Sequence, residues 1–103
     1  MPKVGRALHG YCEHKARKGL IRVSIVLEKD MIKNIRISGD FFLYPEESLW
    51  DIENELTGTR VTEIDYKLKH LFSKHDIVLA GATVEDFIKT IKCAIENARG
   101  SES

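Results

Sequence analysis

The residues best equipped for chemistry in this 103-residue chain are two cysteines and four histidines. Cys12 and His14 are two apart, which on a strand places both on one face, as a thiol nucleophile with an adjacent base would require. No third group frames the pair, so Cys12 reads as a half-buried strand residue, and Cys93 reads as packing beside an apolar helical stripe. His9, His14, His70 and His75 are scattered over a strand, a loop and a helix. His70 and His75 are five apart without flanking cysteines, which is not a metal-ligand set. Gly5, Gly10 and Gly19 fit neither the dinucleotide cradle nor the P-loop. No catalytic residue and no metal ligand is assigned.

Two other groups remain. In the first, Lys15, Lys18 and Arg22 surround Gly19 just ahead of a strand. Side-chain cations beside a free backbone N–H make an anion site, and a solvated loop is the plainer alternative. The second is Ile35–Pro45, Ile-Arg-Ile-Ser-Gly-Asp-Phe-Phe-Leu-Tyr-Pro. It begins as an alternating strand, bends at Gly39-Asp40 and carries Phe41 and Phe42 into a helix entry, as a functional connection does. Phe41 and Phe42 divide between the core and a partner surface. Period alone leaves both orientations open, and continuing the odd-numbered face favours Phe41 inward and Phe42 toward the partner, with Asp40 free to cap neighbouring N–H groups.

One domain is expected from the length. Sixteen Lys and Arg balance sixteen Asp and Glu, which argues against a nucleic-acid or membrane-surface protein. Locally the balance breaks: residues 1–22 hold Lys3, Arg6, Lys15, Arg17, Lys18 and Arg22 against Glu13 alone, whereas 46–56 hold Glu46, Glu47, Asp51, Glu53 and Glu55 with no base. Two cysteines far apart without a CxxC imply reduced structural thiols. No run reaches the roughly 18 apolar residues of a membrane span, and no secretory h-region opens the chain. A soluble cytoplasmic protein is expected.

Elements that position these groups follow from periodicity. Met1–Gly5 reads as a loose start, and Arg6–His14 as a short strand with Leu8 and Cys12 (or Tyr11) inward, weakened by Gly10. Lys15–Gly19 reads as a basic loop. Ile21, Val23, Ile25 and Leu27 share one strand face opposite Arg22, Ser24, Val26 and Glu28; Ile35 and Ile37 do the same opposite Asn34, Arg36 and Ser38. Matching the apolar faces pairs Val23 with Ile37 and Ile25 with Ile35. That parity calls for a loop of three or five residues around Asp30, the candidate for left-handed backbone.

Then the period becomes helical. Pro45 with Glu46 and Glu47 fits a first helical turn, followed by Leu49, Ile52 and Leu56, with Gly58 as the stop. Thr62 with Asp65 resembles a capping box for a second helix burying Ile64, Leu68, Leu71 and Phe72. Thr83 with Asp86 opens a third, burying Val84, Phe87, Ile88, Ile91, Ile95 and Ala98, with Gly100 just beyond and a frayed end after it. Asp76–Gly81 reads as an apolar connector. Strands followed by helices make an α+β domain: about three antiparallel strands, then three helices packed on one face.

From about Lys15 to Ala98 the chain resembles the C-terminal accessory domain of lipoate–protein ligases, in archaea commonly a separate B subunit of a two-part ligase. The resemblance rests on the Gly-containing basic loop before Leu20-Ile-Arg-Val, on Ser38-Gly-Asp-Phe-Phe followed by Pro45-Glu-Glu, and on the Gly81-Ala-Thr-Val-Glu-Asp-Phe helix start. The family loop often carries a proline that Lys15-Ala-Arg-Lys-Gly19 lacks. This resemblance implies a heterodimer with a catalytic subunit, which would hold lipoate, ATP and Mg2+, form lipoyl-AMP and pass the lipoyl group to a lysine of an acceptor protein. This chain would be needed for the activation step and inactive alone. Lys15, Lys18, Gly19 and Arg22 would then face the adenylate site or the partner, and Gly39, Asp40, Phe41 and Phe42 would form a docking bend. The same arrangement resembles iron–sulfur scaffold and sulfur-acceptor proteins, whose chemistry needs a cysteine where this chain has Asp40.

Overall fold

The computed structural model describes residues 7–100, so the expected loose start, Arg6 and the frayed end 101–103 lie outside the described residues. Strands β1 (Ala7–Ala16), β2 (Gly19–Glu28) and β3 (Met31–Asp40) form an antiparallel sheet in the order β1-β2-β3. A short strand β4 (Phe42–Tyr44) follows, then helix α1 (Ser48–Leu56), a 3-10 turn (Val61–Glu63), helix α2 (Ile64–Lys74), strand β5 (Val78–Ala80) and helix α3 (Val84–Gly100). Helix α3 lies along β1 and β2, α1 packs against β3, and α2 packs on α1 and α3. The three helices therefore cover one sheet face, as the α+β pattern predicts. No helix among the described residues is long and apolar enough to cross a membrane.

Ile21, Val23, Ile25 and Leu27 of β2 and Ile32, Ile35 and Ile37 of β3 are all buried. They meet Ile52 and Leu56 of α1, Ile64 and Leu68 of α2, and Phe87, Ile91 and Ala94 of α3 in one core. Phe72 of α2 meets Phe87 edge-on at 5.8 Å, an arrangement favoured by the ring quadrupoles. Every buried side-chain nitrogen and oxygen among the described residues has a hydrogen-bond partner.

Val23 pairs with Ile37 and Ile25 with Ile35, as the apolar faces require. The loop differs from expectation. Glu28 faces Met31 across a two-residue turn, Lys29-Asp30, and the odd residue is a bulge: Val26 pairs with Asn34 but Leu27 with Ile32. Lys33 is thus the extra residue that restores the parity. Left-handed backbone falls on Lys29 (φ 59°), not on Asp30. The outer edge of β3 is covered at Ile32 and Ile37, which hinders strand addition there. Thr59 O accepts from Ile32 N–H at 2.9 Å, Ile32 O from Gly58 N–H at 2.7 Å, and Glu53 Oε2 from Ile37 N–H at 2.8 Å.

β1 is longer and more regular than its composition suggests, with Leu8 and Cys12 turned toward the helices. Gly10, read as a weakness, is where α3 crosses the strand. The cysteines are not free thiols: Cys12 and Cys93 form a disulfide between β1 and α3, with Cα atoms 5.8 Å apart. The strand pairing of Cys12 and the helical face of Cys93 belong to different elements, so no short-range spacing signals the bond. Alongside it, Asn97 Nδ2 donates to Tyr11 O at 2.7 Å, and His14 Nε2 lies 3.2 Å from Asp86 Oδ1.

Helix starts also depart from expectation. Pro45, Glu46 and Glu47 form a turn ahead of α1, with Ser48 N–H donating to Pro45 O at 2.9 Å, so they are not its first helical turn. The Tyr44–Pro45 peptide bond is cis. Thr62 lies in the 3-10 turn, and α2 starts at Ile64 without a side-chain cap. Asp65 instead meets Lys92 Nζ at 2.9 Å. At α3 the capping box forms: Thr83 N–H donates to Asp86 Oδ2 at 3.0 Å and Asp86 N–H to Thr83 Oγ1 at 3.1 Å. Gly100 is the last helical residue, not the one beyond. The Asp76–Gly81 connector contains β5, which pairs with β4 as a two-stranded ribbon.

Candidate functional site

The two sequence-predicted groups converge at one end of the three-stranded sheet. Ala16 pairs with Gly19, so the basic segment is not an open loop but a two-residue hairpin turn, Arg17-Lys18. A strong alternation on β2 extends pairing to the limit of the chain reversal, which leaves only those two residues unpaired. Lys18 N–H donates to Gly81 O at 3.3 Å, tying the turn to the end of β5. Lys18, Gly19, Gly39, Asp40, Phe41, Phe42, Ala80 and Gly81 together line a shallow concavity of about 480 Å³.

Two glycines make this convergence possible. A Cβ on Gly39 (φ 145°) would lie 1.9 Å from Leu20 O, and one on Gly19 would lie 2.2 Å from Asp40 O. Both clashes are with backbone, which cannot swing aside. The ends of β2 and β3 therefore touch through main chain, and the bend that follows leaves toward β4.

Phe41 turns inward. Its ring meets Phe87 of α3 edge-on at 5.1 Å, and it packs against the core. Phe42 turns outward and is 58% exposed, as the odd-numbered face predicts. It also borders a second concavity of about 330 Å³ that runs past Leu43 and Glu46 to Leu49 on α1. Phe42 is thus a ridge between two hollows.

The cations divide. Lys18 lines the concavity, whereas Arg22 lies on the open face of the sheet and donates from Nε to Glu13 Oε2 at 3.1 Å. Tyr11 donates its hydroxyl to the same Glu13 oxygen at 2.8 Å. These two donors, Tyr11 first and Arg22 second, hold the Glu13 carboxyl below its ordinary range. The bond to Glu13, aided by partial desolvation, raises the Tyr11 phenol. Lys15 is exposed on that same open face, opposite Leu20, which in turn pairs with Asp40. Lys15 therefore occupies the cross-strand row that ends at the bend, and Arg22 the next row.

Chemically the concavity offers one mobile ammonium, one carboxylate and an exposed aromatic ring. The carbonyl oxygens of Asp40 and Gly81 lie close to Gly19, so any attraction for an anion rests on the Lys18 side chain. Cys12 and His14 do point to one side of β1, but the thiol is in the disulfide and the imidazole faces Asp86. β5 was missed as the strand that completes the site, because three residues carry too little periodicity to separate a strand from a connector.

The family model for the bacterial lipoate protein ligase C-terminus matches residues 10–91. Lipoate-protein ligase A subunit 2 of Thermoplasma acidophilum is 38% identical over 78 residues, which are 76% of this chain and 82% of that protein. Lipoate–protein ligase 2 of Staphylococcus aureus is 35% identical over 75 residues, which are 71% of this chain and 21% of that longer protein. Among solved structures, a chain from an archaeal lipoylation system of Thermoplasma acidophilum superposes with a TM-score of 0.79 at 35% identity. That system is a bi-partite lipoate protein ligase and its E2 lipoyl domain, and the match covers 82% of this chain and 96% of the other. With this fold, this coverage and the Ser38–Pro45 bend in place, the chain belongs to the family of lipoate protein ligase C-terminal domains.

Proposed function

We propose that this protein is the accessory subunit of a two-part lipoate–protein ligase and acts with the catalytic subunit in the ATP-dependent activation of lipoate to lipoyl-AMP. The observation that carries the reading is the match to 96% of a chain from a bi-partite ligase, at 35% identity. The catalytic subunit would hold lipoate, ATP and Mg2+, and the acceptor protein would meet the complex only at the transfer step. The chain is proposed to work in the cytoplasm as half of a heterodimer.

The sheet end gives this role a physical form. ATP, pyrophosphate and the adenylate are anions, and charge stabilisation strengthens when a site closes and excludes water. The Lys18 ammonium, on a turn fixed to Gly81, is placed to approach such a site as the domain docks. Lys15 would add to the same field from the adjoining row, and Arg22, engaged with Glu13, would contribute less. Gly39 and Asp40 shape the bend, Phe41 anchors it to the core and Phe42 meets the partner.

The sulfur-scaffold reading needs free thiolates. Both cysteines are engaged in the Cys12–Cys93 bond and neither lies at the sheet end, so the structure favours the ligase reading. Co-purification with a lipoate–protein ligase catalytic subunit, followed by lipoate-dependent ATP–pyrophosphate exchange, tests it. Failure of the two chains to associate would remove it.

A further inference from the structure

The β4–β5 ribbon has two faces of opposite character. Leu43 and Leu79 face each other across the ribbon on the inner side, Leu43 buried and Leu79 packed against the core. On the outer side Phe42 pairs with Ala80 and Tyr44 with Val78. All four are exposed, and the three large ones are 58%, 59% and 55% accessible for Phe42, Tyr44 and Val78. The solvent side of a strand is normally its polar side. Here every outward position of the ribbon is apolar or aromatic, although the outer face of the main sheet carries Glu13, Arg22, Ser24 and Arg36.

We infer that the outer face of this ribbon is the buried centre of the contact with the catalytic ligase chain, with Tyr44 and Val78 as anchors alongside Phe42. The inference rests on the accessory-subunit reading and assigns its adhesive residues. Three observations favour that occupant. First, the patch is continuous through Phe42 with the concavity that carries Lys18, so docking on the ribbon brings the lysine to the same partner. Second, the homologous segment is 21% of a longer ligase chain in the Staphylococcus aureus relative, which shows that this domain operates next to a larger ligase part. Third, the ribbon is tied to the body of the domain in the isolated chain. It is held below by Leu43 and Leu79, at the Phe42–Ala80 end by Phe41 against Phe87 and by the Lys18–Gly81 bond, and at the Tyr44–Val78 end by Ile77 N–H donating to Phe72 O at 3.4 Å. A preformed aromatic anchor loses little entropy on binding.

Size sets a further condition. Three side chains exposed to this extent present on the order of 300 Å², less than the roughly 800 Å² per partner of a stable interface. The ribbon can therefore be the dry centre only. The hollows on either side of Phe42, bordered by Lys18 and Asp40 on one side and by Glu46 on the other, supply the polar rim.

The test is calorimetric titration of the intact chain into the catalytic subunit of a lipoate–protein ligase from the same organism. The variants are Tyr44→Ser and Val78→Lys, and Tyr66→Ser is the control, an aromatic on α2 that is 75% exposed. Thermal unfolding confirms that each variant is folded, and Val78→Lys serves if Tyr44→Ser is not. The expected result is a rise of at least tenfold in Kd for the ribbon variants and less than twofold for Tyr66→Ser. Binding of the ribbon variants within twofold of the unaltered chain would overturn this assignment while leaving the accessory-subunit reading intact. No binding by the unaltered chain would overturn both. Sedimentation of the chain alone covers the remaining occupant: a homodimer that the ribbon substitutions dissociate, with heteroassociation unchanged, would also overturn it.

Discussion

Gly10 and Ala94 are in backbone contact: a Cβ on Gly10 would lie 2.0 Å from Ala94 O and 2.7 Å from Ala98 Cβ. Strand β1 and helix α3 cross there with no room for a side chain on residue 10. The neighbouring ties, Cys12–Cys93 and Asn97–Tyr11, hold the two elements at that spacing. Gly10→Ala should therefore force α3 off the sheet and cost about 2–4 kcal/mol, an overpacking effect at the upper end of its range. Urea unfolding monitored by circular dichroism reads the loss, and a change below 0.5 kcal/mol would show that the crossing has slack.

The disulfide joins positions 81 residues apart. On the loop-entropy model a closure of that length stabilises by up to about 4.5 kcal/mol. Cys93→Ser, or addition of a reductant, should lower the melting temperature by several degrees, with the fold retained because β1 stays paired along its length with β2. An unchanged melting temperature after confirmed reduction would contradict it.

Asp86 links the α3 capping box to His14. Partial burial pushes its carboxyl up, but the Thr83 backbone N–H, the Thr83 hydroxyl and His14 pull more strongly, so it ionises below its ordinary value of 3.8. Because the folded-state value is the lower one, the stabilisation is complete above pH 3.8 and fades as pH falls through the folded value. Asp86→Asn should be less stable at neutral pH and should lose less stability on acidification than the unaltered chain. Parallel acid titrations of the two would expose a common slope if the carboxylate were not involved.

Gly39→Ala would meet Leu20 O at 1.9 Å in a backbone conformation that disfavours a Cβ. A loss of about 2 kcal/mol or more is expected, with weakened docking because the bend carries Phe42 out of the sheet. Hydrogen exchange should show faster opening at Phe42–Tyr44 than at the β2–β3 centre.

What could be read from residues alone was whatever has a local signature. The Val23–Ile37 register followed from alternation, and the Thr83–Asp86 cap from its spacing. That Phe41 and Phe42 divide between core and surface was legible, but the period alone left open which faces which way, and it is the packing of Phe41 on Phe87 that decides it. The loop between β2 and β3 did not, because one odd residue can sit in the turn or in a bulge, and nothing in Lys33 distinguishes the two. The disulfide and the β4–β5 pairing were hidden for a different reason. Cys12 meets Cys93, and Phe42 meets Ala80, only after the whole chain has folded. Lys18 and Gly39 were each singled out, but their shared concavity depends on Gly81 at the end of that unseen strand.

The most direct measurement is lipoate-dependent ATP–pyrophosphate exchange by the catalytic subunit, alone, with this chain, and with Lys18→Ala. Exchange should depend on adding the chain. Lys18→Ala should lower it roughly tenfold, equivalent to about 1.4 kcal/mol in the barrier, with Lys15→Ala lowering it less and both variants still forming the complex. Full exchange by the catalytic subunit alone, or an unchanged rate with Lys18→Ala in an intact complex, would contradict a role for this domain's sheet end in activation.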